Sequence, residues 1–346
     1  MSAKKLAEKK VLFTFDYELF LGVESGNVPQ CLIKSTERIL DMLKKYSFNG
    51  IFFVDTLYLC HLKDLCKTNV AAKKDFDSIA IQLNRMVNEG HDVFMHIHPH
   101  WDDAVYNEAL NTWSLRDYSK YLFSSLDNDV QARLFKMSYD ILNEIITSSN
   151  FKPDGYRAGG WSIQPFTSFK PYFEKYNIRH EFSVIPGKAV ESSGLKFNFI
   201  DCPDQNIYQF DSDICEKNEN GKFTEYAISI LEIPQWLDYI DNKISVLFFV
   251  LKLKFAWPIG NGKTIQLTDI VSIDKNDKGK RRIVASFENF NMLLTFFHLR
   301  TVSKTDYWHF ISHPKILSPM NLFFTNYFLR RLRKKYDVET NFRKFS

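Results

Sequence analysis

Val11-Leu12-Phe13-Thr14-Phe15-Asp16-Tyr17-Glu18 is a short, nearly continuous apolar run that ends at two acids. Such a run reads as a strand buried on both faces, as strands of parallel sheets are. After a loop rich in Gly, Asn and Pro, residues 35–46 carry Ile39, Leu40 and Leu43 at helical spacing, and Asn49-Gly50 closes the helix. Gly50-Ile51-Phe52-Phe53-Val54-Asp55 is then the second strand. Residues 75–89 repeat the pattern, with Ile79, Leu83, Met86 and Val87 on one stripe and Gly90 as the cap, so the segment after Gly90 is expected as strand three. Val130, Leu134, Met137, Ile141 and Ile145 define a long amphipathic helix that leads to Tyr156-Arg157-Ala158-Gly159-Gly160-Trp161. Strand and helix alternating at this spacing imply an α/β fold with a parallel sheet.

The second half is less sharply patterned. Residues 182–184, 227–233 and 244–251 have strand character, 216–222 and 274–282 read as charged loops, and 284–299 as a helix. Tyr307-Trp308-His309-Phe310-Ile311-Ser312-His313-Pro314 looks like a last strand ending in a histidine. Residues 321–336 form a helix candidate whose end carries Arg330, Arg331, Arg333, Lys334 and Lys335, a placement that the helix dipole favours.

With 346 residues, one large domain over 1–346 is the default, with a flexible basic N-terminus at 1–10 and a C-terminal helix and tail at 320–346. A net charge of +4 argues against nucleic acid as a partner. Five scattered cysteines without a CxxC pair suggest neither a disulfide framework nor a thiolate zinc site, so a reducing cytoplasm is expected. The charged start leaves no room for a signal peptide before Val11, and the longest apolar run, 244–251, is too short to cross a bilayer. The basic tail leaves a peripheral membrane contact open, and the oligomeric state is not readable.

Four of the nine histidines, His91, His96, His98 and His100, fall within ten residues, a density rarely used for packing. In an extended segment His96, His98 and His100 would share one side, and imidazole suits zinc or a similar first-row metal. Asp16, Glu18, His96 to His100, Arg157 and His313 all lie where a predicted strand ends, the place where α/β barrels build their sites. Trp101 and Trp161, beside these motifs, are candidate sugar-stacking platforms, with core packing as the alternative.

Taken in order, these segments resemble the motifs of the polysaccharide deacetylases, also called carbohydrate esterase family four or the NodB-homology superfamily. Phe13 to Glu18 resembles Thr-Phe-Asp-Asp-Gly, and Gly50 to Val54 resembles Ala-Thr-Phe-Phe-Val. Gly90-His91-Asp92 through His100 is similar to Gly-His-Glu-Ile-x-x-His-Thr-x-x-His, Tyr156 to Gly160 to the Arg-containing motif, and Ile311-Ser312-His313-Pro314 to Leu-x-His. The opening motif is most similar to a divergent branch associated with surface-polysaccharide biosynthesis. The resemblance implies a distorted (β/α) barrel of about seven parallel strands. It also implies a metal-dependent hydrolase that removes an acetyl group from an N-acetylated sugar or a nucleotide- or lipid-linked glycan.

Carried over by position, Asp16 would be the general base, His313 the acid, Arg157 the group orienting Asp16, and Glu18, His96 and His100 the ligands of a divalent metal. That metal is expected to be Zn2+, with Co2+, Mn2+ or Ni2+ as substitutes, and His98 would contact the substrate. The departure is Tyr17, which stands where the family has a metal-binding Asp; Glu18, facing the same way as Asp16, would compensate. Alternatively Asp16 is the ligand and Glu18 the base, or the site has lost its metal and the protein is an inactive carbohydrate-binding component of a polysaccharide-assembly pathway.

Overall fold

A computed structural model describes residues 7–115, 120–192, 194–237, 239, 243, 253–263, 269–275 and 279–345. Its centre is a nine-stranded sheet. In chain order the strands are β1 (Glu8–Tyr17), β2 (Ile51–Asp55), β3 (Asp92–Ile97), β4 (Gly155–Ala158), β5 (His180–Glu181), β6 (Ile207–Phe210), β7 (Phe223–Tyr226), β8 (Tyr307–Ser312) and β9 (Asp337–Glu339). Their spatial order is β6-β7-β5-β4-β3-β2-β1-β8, with β9 also on β1, and every pairing is parallel except β6 with β7. The sheet curls into the expected distorted barrel. β8, at one edge, is joined by bridging contacts to the segment just past β7: the Tyr307 hydroxyl donates to the Ala227 carbonyl at 3.2 Å, and the His309 amide to Ser229 Oγ at 2.9 Å.

The helices of the outer layer are α1 (Ser35–Tyr46), α2 (Thr56–Leu65), α3 (Val70–Asn88), α4 (Asn128–Ile145), α5 (Lys170–Lys175), α6 (Met292–Val302) and α7 (Pro319–Lys335). α3 starts earlier than its apolar stripe suggested because the Asn69 side chain accepts from the Ala72 amide and caps it. Strands buried on both faces divide the core in two. Val11, Phe13 and Phe15 pack against the helices, while Leu12, Ile51, Phe53, Phe94, Phe182, Tyr226 and Tyr307 fill the barrel interior with Phe342. No helix among the described residues is long and apolar enough to cross a membrane.

Several expectations are corrected. Residues 284–299 are not one helix: Val284 ends a strand, Lys280–Val284, paired with Ile230–Pro234, and α6 begins only at Met292, capped by Asn291. The same pairing replaces part of the charged loop at 274–282 and shifts the strand expected at 227–233. The strand expected at 244–251 lies outside the described residues. Glu8 to Lys10, assigned to a flexible N-terminus, belong to β1, and Lys9 is buried against Asp306 at 3.0 Å. The C-terminal tail is equally built in: β9 pairs with β1, and the Phe342 ring closes the barrel floor against His180, Tyr226 and Phe182 at 4.9, 5.3 and 5.5 Å. Cys202 and Cys215 form a disulfide, which no motif spacing announced and which removes cysteine usage as an argument for a reducing compartment.

Candidate active site

Strand alternation sets the site. In β1 the side chains of Leu12, Thr14 and Asp16 point into the barrel, and Glu18 continues that side past the strand end. Tyr17 points the other way, into the helix layer, where its hydroxyl donates to Gln82 Oε1 at 2.9 Å. The residue that departs from the resembled motif is therefore outside the cavity, and Glu18 is inside it. The neighbouring strands end in register, Asp55 opposite His96 and His96 opposite Arg157, so one row of strand ends delivers polar groups to one mouth. The resulting cavity is about 230 Å³ and is lined by Asp16, Glu18, His96, His98, His313 and Lys315, with Phe20, Tyr121, Trp161 and Leu195 as its apolar walls.

Arg157 is fully buried in the barrel throat, and its donors are directed. Nη1 donates to Asp16 Oδ1 at 2.5 Å, Nη2 to Thr14 Oγ1 at 2.8 Å and Nε to the Phe182 carbonyl at 3.0 Å, with the guanidinium 4.0 Å above the Phe53 ring. Burial alone would raise the Asp16 pKa, but Arg157, then His96 and His313, outweigh it and hold the carboxyl below its ordinary value. Asp16 is thus ionised, with Oδ1 occupied and Oδ2 turned to the cavity, 3.5 Å from His313 Nε2 and 3.8 Å from His96 Nε2.

His313 is held by a residue that sequence reasoning missed. Glu288 Oε1 accepts from both the His313 amide, at 2.6 Å, and His313 Nδ1, at 2.7 Å, which aims Nε2 at the cavity. Desolvation pulls the imidazole pKa down, but Glu288, then Asp16 and Glu18, push it up to about 9. Glu288 sits in the turn that follows the strand Lys280–Val284, at a strand end like Asp16, but the apolar spacing of 284–299 masks that end as a helix. Lys315 was also missed, although it directly follows His313-Pro314. Its buried ammonium donates to Glu18 Oε1 at 2.7 Å and to the Leu19 carbonyl at 2.6 Å.

The metal-donor geometry differs from the expected set. Glu18, His96 and His98 offer donor atoms that all lie within 4.8 Å of one another, and all three residues are buried. His98 Nε2 is 2.7 Å from Glu18 Oε2 and 3.0 Å from His96 Nε2, and Glu18 Oε2 is 3.4 Å from His96 Nε2. His100 is outside this cluster. β3 ends at Ile97 and Pro99–Asp103 is a 3₁₀ turn, so the alternation that would have grouped His96, His98 and His100 stops after His98. His100 instead stacks on Tyr121, with ring centroids 4.7 Å apart. His98, and not His100, therefore stands in the donor cluster.

The cluster fits a divalent cation. The Arg157 carbonyl can only accept, so His96 Nδ1 carries a hydrogen, 2.9 Å away, and presents Nε2 as a donor lone pair. Burial disfavours a charged His96, yet Asp16 and Glu18 overcome this and raise its pKa, so the pocket favours positive charge at that nitrogen. Lys315 engages only Oε1 of Glu18, leaving Oε2 to the cluster. Two imidazoles and a carboxylate are a donor set suited to zinc and its neighbours.

The two tryptophans separate. Trp101 is fully buried, donates to Asp55 Oδ2 at 2.5 Å and packs on Tyr58 at 5.0 Å, so it is a core residue and not a sugar platform. Trp161 lines the cavity at φ 58°, a left-handed conformation that a bulky side chain adopts at a cost and that turns its ring toward the mouth. Asp55, a further missed acid, caps α2; burial raises its pKa to about 8.

Glu288 touches His313 and does not line the cavity, so any effect it has there would run through His313, as that of a positioning residue. Glu288→Gln keeps the shape but removes the charge that raises the His313 pKa. If His313 is the acid, the alkaline limb of kcat is expected near pH 9 in the parent and at lower pH in the variant, with little change in KM. An unmoved limb would show that Glu288 only packs.

No family model matches the sequence, and a comparison with curated proteins finds no match. Solved structures do match. A chain from Mycobacterium smegmatis assigned as a polysaccharide deacetylase aligns with a TM-score of 0.50 at 14% identity, over 100% of this chain and 91% of that one. A Puue allantoinase aligns at 0.47 and 11% identity, over 96% and 88%. A family 4 acetyl xylan esterase from Clostridium thermocellum, in complex with a cobalt ion, aligns at 0.27 and 16% identity, over 52% and 60%. Of these three the first alone reaches 0.50, and at its identity the likeness establishes the fold.

Proposed function

From a fold that is that of the polysaccharide deacetylases, we propose that this chain is a metal-dependent hydrolase that removes an acetyl group from an N-acetylated sugar. The observation that carries this reading is the convergence, in one cavity, of three parts that amide hydrolysis needs: the Glu18–His96–His98 donors, the ionised Asp16 and the protonated His313. Glu18, His96 and His98 would hold the metal. A divalent ion there, with Zn2+ the best match to two imidazoles and a carboxylate, supplies Lewis-acid stabilisation of the charge that develops on the acetamide oxygen.

The remaining steps belong to the chain's own side chains. Asp16 Oδ2 takes a proton from the attacking water, whose oxygen forms the new bond to the acetyl carbon. Asp16 suits this role better than Glu18 because both Glu18 oxygens are engaged, one by Lys315 and one by the histidines. Arg157 fixes Asp16 in its ionised form. His313 Nε2 gives its proton to the nitrogen as the C–N bond breaks, so acetate and a free amine leave. With a pKa near 9, His313 is protonated at neutral pH and can act as that acid.

A cavity of about 230 Å³ is smaller than the ~300–1,000 Å³ of sites for drug-sized ligands and suits one sugar ring, with Trp161 as the stacking face. Chelation is expected to abolish acetate release from N-acetylated sugars, and zinc or cobalt to restore it. Turnover that persists in protein shown to be metal-free would overturn the reading. Binding of sugar with no turnover in metal-loaded protein would favour an inactive carbohydrate-binding role.

A further inference from the structure

The outward face of α7 does not look like a solvated helix face. Its core side is formed by Leu322, Thr325, Phe328, Leu329 and Leu332. The opposite stripe, at spacings of four, seven, eight and eleven, reads Phe323, Tyr327, Arg330, Arg331 and Lys334. Phe323 is 59% and Tyr327 38% exposed. α6 packs beside α7 and exposes Met292 and Phe296, one turn apart, followed by Arg300. The turn at Lys254–Ala256 packs on α7 as well and exposes Leu253, Phe255 and Trp257. Seven of the seventeen exposed large apolar side chains among the described residues thus lie on three adjoining elements. A soluble surface scatters such residues singly.

Charge on these elements has one sign. Residues 253–263, 289–305 and 307–336 contain no Asp or Glu, in a chain with 41 acids among 346 residues. Lys254, Arg300, Arg330, Arg331, Arg333, Lys334 and Lys335 are exposed, and none meets a carboxylate at ion-pair distance among the described residues. Helix-dipole stabilisation accounts for cations in the last turn of α7. It does not account for exposed Phe323, Tyr327 and Phe296, nor for Lys254 on a separate element. Interleaved cations and bulky apolar side chains match what lies at the boundary between lipid headgroups and acyl chains, whereas nucleic acid would have no use for Met292, Leu253 or Phe323.

The face also adjoins the mouth. Ser318, the cap of α7, is five residues past His313, and the Ile259 and Gly260 amides donate to the Leu317 and Lys315 carbonyls at 3.0 and 2.9 Å. The exposed turn at 253–257 is therefore tied to the segment that carries Lys315. At about 1.5 Å per residue α7 extends roughly 25 Å away from the mouth, with its basic end distal.

We propose that the face built by α6, α7 and the 253–257 turn docks on the surface of an anionic lipid bilayer. α7 lies along the headgroups, and the cavity opens beside them, toward an acetylated sugar carried on a membrane lipid. The substrate part rests on the hydrolase reading above; the docking part does not.

Co-sedimentation of the full chain with vesicles tests the docking by itself. Vesicles of phosphatidylcholine with about one-third phosphatidylglycerol are expected to bind the protein at least tenfold more tightly than phosphatidylcholine alone at low salt, with the difference shrinking at high salt. Arg330→Glu combined with Arg331→Glu is expected to weaken that binding at least tenfold, and Phe255→Ser with Trp257→Ser likewise, each with an unchanged thermal melt. If the charge reversal unfolds the protein, Phe323→Ser, at an exposed position, gives the second reading. His96→Ala should bind vesicles as the parent does, which separates docking from turnover. Equal binding to both vesicle types, or variants that bind as the parent, would overturn the proposal. So would concentration-dependent self-association through the same residues without vesicle binding, which would make a second copy the occupant.

Discussion

Asp16→Asn is expected to lower deacetylation by about three orders of magnitude, the middle of the ~10²–10⁴ range for loss of a general base. The amide keeps the shape of the carboxylate but cannot take the water proton. It also leaves Arg157, which is fully buried, without the charge that Oδ1 supplies at 2.5 Å. Breaking a buried pair from one side costs up to about 3–5 kcal/mol, so a lower midpoint in denaturant should accompany the lost turnover. The two effects separate if rates are measured well below that midpoint and with metal content checked. Because Asp16 is not among the mutually close donors, the variant should retain metal. Turnover within tenfold of the parent at full metal occupancy would move the base role to Glu18.

His98→Ala and His100→Ala should differ sharply in metal affinity. Loss of a proposed ligand is expected to weaken metal binding by far more than the ~10–100-fold typical of outer partners, and the His98 donor sits 2.7 Å from Glu18 and 3.0 Å from His96. His100, stacked on Tyr121 and edge-on to His98 at 5.5 Å, supports the cluster through packing, and its loss should fall within that lesser range. Isothermal titration of apo protein with zinc reads the difference directly. A larger loss from His100→Ala than from His98→Ala would restore the pattern inferred from motif resemblance.

The histidine segment shows how far a sequence reading carries. Its place after a third buried strand was legible, because apolar runs and helical stripes alternate plainly from Val11 to Trp161. So was the inward pairing of Asp16 with Glu18, since a period of two fixes which side chains share a face. What was not legible was the point at which that period stops. Pro99 opens a 3₁₀ turn, and a change of local geometry by one residue puts His98 rather than His100 in the donor cluster. Glu288 was hidden in the same way, by a strand and turn that apolar spacing alone could not tell from a helix.

Local pattern therefore determined the α/β class, the order of the strands in the chain and the row of polar residues at their ends, because backbone geometry dictates side-chain direction over a few residues. Tertiary structure alone decided which of those residues meet. The Glu288–His313 and Lys315–Glu18 pairs, the Cys202–Cys215 bond and the closure of the barrel by Phe342 each join segments whose separation along the chain carries no trace of their contact. Such contacts follow from how the sheet curls and the helices pack around it, which is a property of the whole chain rather than of any window of it.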